Sequence, residues 1–224
     1  MADGVLLDWE GVLADTRGAR RDALRAALAA EGLALDEAIG ADGHIELSFP
    51  LAAVRAAGAL ADPTLVDLIA MRARRELAAR LTQGFALNAA ATRFVEDAQL
   101  RGPVVVVTAA GRAETEAALR LAGLLDSFAA IVTADEVSDA PSRDAYERAL
   151  APLARRRPVR RDRMIVLGTT RPALSAAREA GLRTVAVGAP AHVAVEADAA
   201  IASLDGATVD ALDALLRGAS ERPA

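Results

Sequence analysis

The sequence predicts an α/β fold: a parallel sheet with helices on both faces, and an all-helical insertion after the first strand. Three observations predict it. From residue 103 onward, short apolar runs alternate with segments of helical periodicity. Val5-Leu6-Leu7 is an isolated run of the same kind near the start. Between these regions, residues ~34–84 hold only helical patterns and turns, too long a stretch for an ordinary connection in a compact domain. At 224 residues the chain suits one large domain with an insert, on a prior of ~150 residues per domain.

Taken in order, the first strand is Val5-Leu6-Leu7, a buried run ending at Asp8. A helix follows over about 18–31, with Leu24 and Leu28 four apart and Gly32 as its stop. The insertion contributes short helices over 36–39 and 51–60. A longer helix over 63–81 carries Leu65, Leu68, Ile69, Leu77 and Leu81 as its apolar stripe. A helix over 88–100 ends at the Arg101-Gly102 turn. Pro103 and four valines, then Thr108, read as a fully buried strand. Three helix–strand pairs come next: helix 113–121 with strand 130–132, helix 142–150 with strand 164–167, and helix 172–180 with strand 184–187. A weak strand over 199–202 and a helix over 208–216 close the pattern. There are no internal repeats, and the tail from Gly218 is expected to fray.

Composition removes whole classes of chemistry. Hydrophobic residues make up 53% and charged residues 25%, which excludes disorder. The chain has no cysteine, so disulfides, thiolate metal sites and cysteine nucleophiles are absent. His44 and His192 are its only histidines, too few for a multi-histidine zinc site. All 26 basic residues are arginine, which excludes Schiff-base lysines and phosphate-loop lysines. The net charge of −5 offers no general attraction to nucleic acid or membrane. The cluster Arg155, Arg156, Arg157, Arg160, Arg161 and Arg163 lacks interleaved aromatics and reads as an exposed connection. No targeting segment and no long apolar run is visible, so a cytoplasmic location is expected.

In parallel sheets of this kind, ligands bind outside the carboxyl ends of the strands. Three apolar strands end in short polar loops: Asp8 to Thr16, Thr108 to Arg112, and Gly168 to Arg171. A carboxylate two residues before another, with glycine next, suits an aspartyl nucleophile with an acid/base partner. Residues 8–16, DWEGVLADT, resemble the D-x-D-G-V/T-L-x-D-T motif of the haloacid dehalogenase superfamily, with Glu10 in place of the second aspartate. Val104 to Thr108 resembles that family's second motif. Ile131 to Val137 resembles the segment before its third motif, and Gly181 to Val187 the segment after its fourth. The order and spacing resemble the phosphoglycolate phosphatase and β-phosphoglucomutase-like branch. The resemblance implies a Rossmann-like core over 1–16 and 85–224 and a helical cap over 17–84. It also implies a phosphatase- or phosphomutase-type hydrolase working through an aspartyl-phosphate. In such proteins the cap selects the substrate, which makes His44 a contact candidate.

The departures from the family pattern are as informative. The lysine of motif three has no counterpart, since Ala140-Pro141 stands there. The acidic positions of motif four are Thr169 and Ala173. The resemblance implies magnesium held by the nucleophile, by the backbone carbonyl two residues on, and by the motif-four acid. Here only Asp8 would supply fixed negative charge to such an ion. Glu10 is one methylene longer than aspartate, a displacement of ~1 Å that costs up to ~10²-fold in rate. Loss of the lysine removes charge stabilisation of the phosphoryl group.

The expected site therefore comprises Asp8, Glu10 and Thr108 as catalytic residues, with Asp8 as a weak metal ligand. Arg112, Arg143, Arg171, Thr169 and His44 are its expected substrate contacts. The arginines would supply the positive charge that magnesium and lysine supply elsewhere. The expected function is a hydrolase-like protein with impaired catalysis, binding a phosphorylated or anionic small molecule or a protein partner. An active phosphatase or phosphomutase using Asp8 as nucleophile is the alternative.

Overall fold

The computed structural model describes residues 1–35, 49–82, 88–137, 141–155 and 158–220. Two compact units result, Met1–Ala14 with Leu87–Ala224, and Asp15–Ala86. The first unit holds a six-stranded sheet in the order β3-β2-β1-β4-β5-β6, every pairing parallel. Its strands are β1 Gly4–Asp8, β2 Val104–Val107, β3 Ala130–Val132, β4 Met164–Gly168, β5 Arg183–Val187 and β6 Ala199–Ile201. The central strands β1, β2 and β4 are buried at every residue, which is why they read as unbroken apolar runs.

Helices α4 Ala89–Arg101, α5 Arg112–Leu121, α6 Arg143–Ala154, α7 Arg171–Glu179, α8 Ala191–Ala194 and α9 Val209–Ser220 complete this unit. Local chemistry sets several of their starts. The Asn88 side chain accepts from the Ala90 and Ala91 amides, Ser142 from the Ala145 amide, and Thr170 from the Ala173 amide. One face of the sheet, including Leu6, Val105, Val107 and Val166, packs on Tyr146, Ala149, Leu150 and Leu153 of α6. Periodicity ends α6 at Leu150, yet the helix runs through Pro152 to Ala154. Leu153 lies one turn beyond Leu150, and burying both offsets the hydrogen bond that proline removes. The four-residue α8 has no counterpart in the sequence reading, being too short for periodicity to reveal.

The second unit is all helical in its described residues: α1 Arg17–Ala29, α2 Phe49–Ala57 and α3 Pro63–Thr82. Its core joins Ala23, Leu24, Ala27 and Leu28 to Phe49, Ala52 and Ala53, and to Ile69, Ala73, Leu77 and Leu81. Small alanines on facing helices allow close approach of their backbones. Arg20 is fully buried here, its guanidinium 5.4 Å from the Phe49 ring centre and its Nε donating to Thr16 Oγ1. The expected helix over 36–39, the candidate His44 and the Ala140 position lie outside the described residues.

Candidate active site

The strand order places β1 between β2 and β4, where the chain switches from one side of the sheet to the other. This is the position at which a crevice opens at the carboxyl ends of the strands. Register then assembles the site. Asp8 pairs with Val107, which puts Thr108 one residue further along β2. Leu7 pairs with Leu167, which brings Gly168 level with Asp8 and Thr169 just beyond. Residues 100 and 160 positions apart in sequence thus share one edge.

Asp8, Glu10 and Thr108 are all buried. The Glu10 amide donates to Asp8 Oδ1 at 3.3 Å. Burial is the main force on the Asp8 carboxyl, followed by the charge of Glu10, and together they push it up to about 7. Only the amides of Glu10 and Trp9 act in the opposite direction; among the described residues no cation does. A buried carboxylate pair of this kind is characteristic of functional sites. Thr108 Oγ1 accepts from the Ala110 amide at 3.1 Å, and its own amide donates to the Val132 carbonyl. It therefore shapes the turn after β2 while facing the same edge as Asp8.

Thr169 reaches back to the first loop. Its hydroxyl donates to the Glu10 carbonyl oxygen at 3.0 Å. Gly11 lies directly against it, in a left-handed conformation (φ +78°). A Cβ at Gly11 would sit 2.8 Å from Thr169 Cγ2 and Oγ1, so glycine is required for both conformation and space.

The three arginines have carboxylate partners of their own. Arg112 donates from Nε to Glu136, from Nη1 to Glu116 and from Nη2 to the Ile131 carbonyl, while its amide donates to Asp135. It clamps α5 to the loop after β3. Arg143 pairs with Glu147 one turn along α6, and Arg171 pairs with Glu196, each at 3.0 Å and each well exposed. Within the basic cluster, Arg160 pairs with Asp162, Arg161 with Glu147 and Arg163 with Asp3; residues 156–157 lie outside the described residues.

Tyr146 is the residue that sequence reasoning missed. It is buried on α6, and its hydroxyl donates to the Ala173 carbonyl at 3.2 Å. Burial and the nearby charge of Asp8 push its phenol well above the usual value. The available signal was that this, the only tyrosine of the chain, falls on the apolar stripe of an alanine-rich helix.

Magnesium needs near-octahedral oxygen ligation, usually with one or two carboxylates. The Glu10 carbonyl accepts the hydroxyl of Thr169, a neutral side chain standing where the family resemblance implies a second carboxylate. Among the described residues no group of three acidic or histidine side chains converges to hold an ion. The donors present do not fit the magnesium site that the family resemblance implies. Among the described residues, no helix is long and apolar enough to cross a membrane.

Residues 64–187 match the family described as Haloacid dehalogenase-like hydrolase, and the chain belongs to that family. None of the curated protein sequences matches it. Among solved structures, CbbY from Rhodobacter sphaeroides in complex with phosphate is 24% identical, with a TM-score of 0.80 over 95% of this chain and all of that one. β-Phosphoglucomutase from Clostridium difficile is 14% identical, with a TM-score of 0.81 over 99% of this chain and 100% of the other. The HAD-hydrolase YfnB from Bacillus subtilis, bound to magnesium, is 17% identical, with a TM-score of 0.68 over 96% of this chain and 99% of its own. At these identities the likeness establishes the fold: a Rossmann-like parallel core of the haloacid dehalogenase type.

Proposed function

We propose that this chain binds a phosphorylated or otherwise anionic small molecule beside Asp8, at the carboxyl end of β1, and turns it over weakly or not at all. One observation carries the reading: the nucleophile position is a buried carboxyl raised to about 7 by burial and by Glu10, with only backbone amides opposing. Half protonation at neutrality withholds only half of the nucleophilic form, but among the described residues no side-chain cation acts on this carboxyl to draw in an approaching phosphoryl group. Binding of phosphate by the structural neighbour CbbY supports the ligand class.

Backbone amides of the loops after β1 and β2, with the Thr108 hydroxyl, supply the neutral donors. Arg143 and Arg171 contribute by exchanging Glu147 and Glu196 for the ligand. Exposed ion pairs are worth only ~0–1 kcal/mol, so that exchange costs little. Arg112, bonded through all three guanidinium nitrogens, keeps its structural role.

The test is phosphate release from a panel of phosphorylated sugars and acids, with and without magnesium, comparing the native chain with Asp8→Asn. Equal, background-level release from both is expected, with calorimetric binding of at least one member of the panel. Release that disappears in Asp8→Asn establishes the second reading, an active phosphatase or phosphomutase. That reading is favoured by the retained pairing of Asp8 with a second buried carboxylate, Glu10, as acid/base.

A further inference from the structure

The contact between Thr169 and the first loop has a chemical consequence. A hydroxyl has one proton, and here it is spent on the Glu10 carbonyl oxygen at 3.0 Å. The carbonyl oxygen keeps a second lone pair, but the threonine side chain offers a cation no fixed negative charge at the position where the family resemblance implies a carboxylate. The packing is tight as well: Gly11 has no room for a Cβ against the threonine side chain. The loop after β1 is thereby tied to the loop after β4 by a neutral hydrogen bond. A metal ion makes the same connection only by drawing carboxylate and carbonyl oxygens around itself.

We propose that the Thr169–Glu10 hydrogen bond replaces a divalent cation as the link between these two loops, that the site holds its anion without such a cation, and that residue 169 selects between the two arrangements. The clause on the anion rests on the binding function proposed above; the clauses on the loops and on residue 169 do not. Aspartate at 169 would set a carboxylate against the Glu10 carbonyl in place of the present donor, at a strand end beside that of Asp8. Magnesium is the simplest species to relieve that repulsion.

The experiment is magnesium titration, by calorimetry and by thermal melting, of the native chain, Asp8→Asn, Thr169→Asp, Thr169→Val and the double variant Asp8→Asn/Thr169→Asp. The native chain gives no saturable heat and a Tm indifferent to magnesium. Thr169→Asp melts lower than the native chain in chelator, and its Tm rises with magnesium concentration. The double variant loses that response. Thr169→Val melts lower than the native chain, because the carbonyl loses its partner, and it gains no magnesium response. Saturable magnesium binding to the native chain that vanishes in Asp8→Asn overturns the proposal. A folded Thr169→Asp without a magnesium response overturns it too. Should Thr169→Asp fail to fold, the native titration and Thr169→Val still decide. Inorganic phosphate is then titrated into the native chain in chelator and in magnesium. Equal affinities are expected, and tightening of about tenfold or more by magnesium overturns the metal-free clause. Absence of phosphate binding in both conditions counts against the proposed binding function, and leaves the magnesium titrations to judge Thr169.

Discussion

Asp8 is the residue on which the proposed function turns, and its burial makes a prediction about pH. Folding raises its carboxyl from the ordinary range to about 7. The native state then holds the proton more tightly than the unfolded chain does. Its contribution is fully present below about pH 4 and is lost as the pH rises through about 7. Asp8→Asn, which cannot ionise, is expected to be more stable than the native chain at about pH 8, by at most ~4 kcal/mol, and so to melt higher. The gap is expected to shrink towards about pH 4, and thermal melts across that range check it. A pH-independent difference would refute the account. Gly11 carries a second prediction at this scale. Gly11→Ala must adopt a positive φ and push into Thr169, for a cost of ~1–3 kcal/mol by denaturant unfolding. The placement of Asp8 and Thr108 at strand ends was legible because apolar runs mark where buried strands stop. The Thr169 contact was not: which group its hydroxyl meets depends on a partner 159 residues away.

At the scale of elements, caps and packed faces explain why the helices begin and run where they do. Asn88→Ala removes the acceptor for two amides at the start of α4, and a loss of ~1 kcal/mol is expected in denaturant unfolding. Tyr146→Phe removes the phenol donor to the Ala173 carbonyl while keeping the ring in the α6 core. The expected cost is ~1–2 kcal/mol, without loss of the fold by circular dichroism. Alternation of apolar runs with helical periods made nearly all of these elements readable. The failures share a cause. The periodic reading ended α6 at Leu150, and the burial of Leu153 that carries the helix through Pro152 is a tertiary fact. The burial of Arg20 over Phe49 is another such fact, because the two residues belong to different helices and no local pattern joins them.

For the whole molecule, the six parallel strands place β1 at the switch of strand order, so one central strand supports both the core and the site. Leu6 lies fully buried in that strand, two residues before Asp8. Leu6→Ala is expected to cost ~2–5 kcal/mol in chemical denaturation. Ligand binding per remaining folded molecule should fall too, because the same strand positions Asp8. Unchanged affinity alongside the stability loss would show that the loop after β1 is held from elsewhere.

Residue order alone established the parallel sheet, the helical insertion, and the absence of thiol, lysine and multi-histidine zinc chemistry. Each follows from periodicity or from which side chains exist at all. Folding decided what those residues do to one another: that Asp8 is buried beside Glu10, that Tyr146 lies close enough to feel its charge, and that Thr169 bonds the Glu10 carbonyl. Desolvation and hydrogen bonding depend on distance in space, and distance in space between remote segments is set by strand order and register rather than by any local run of sequence.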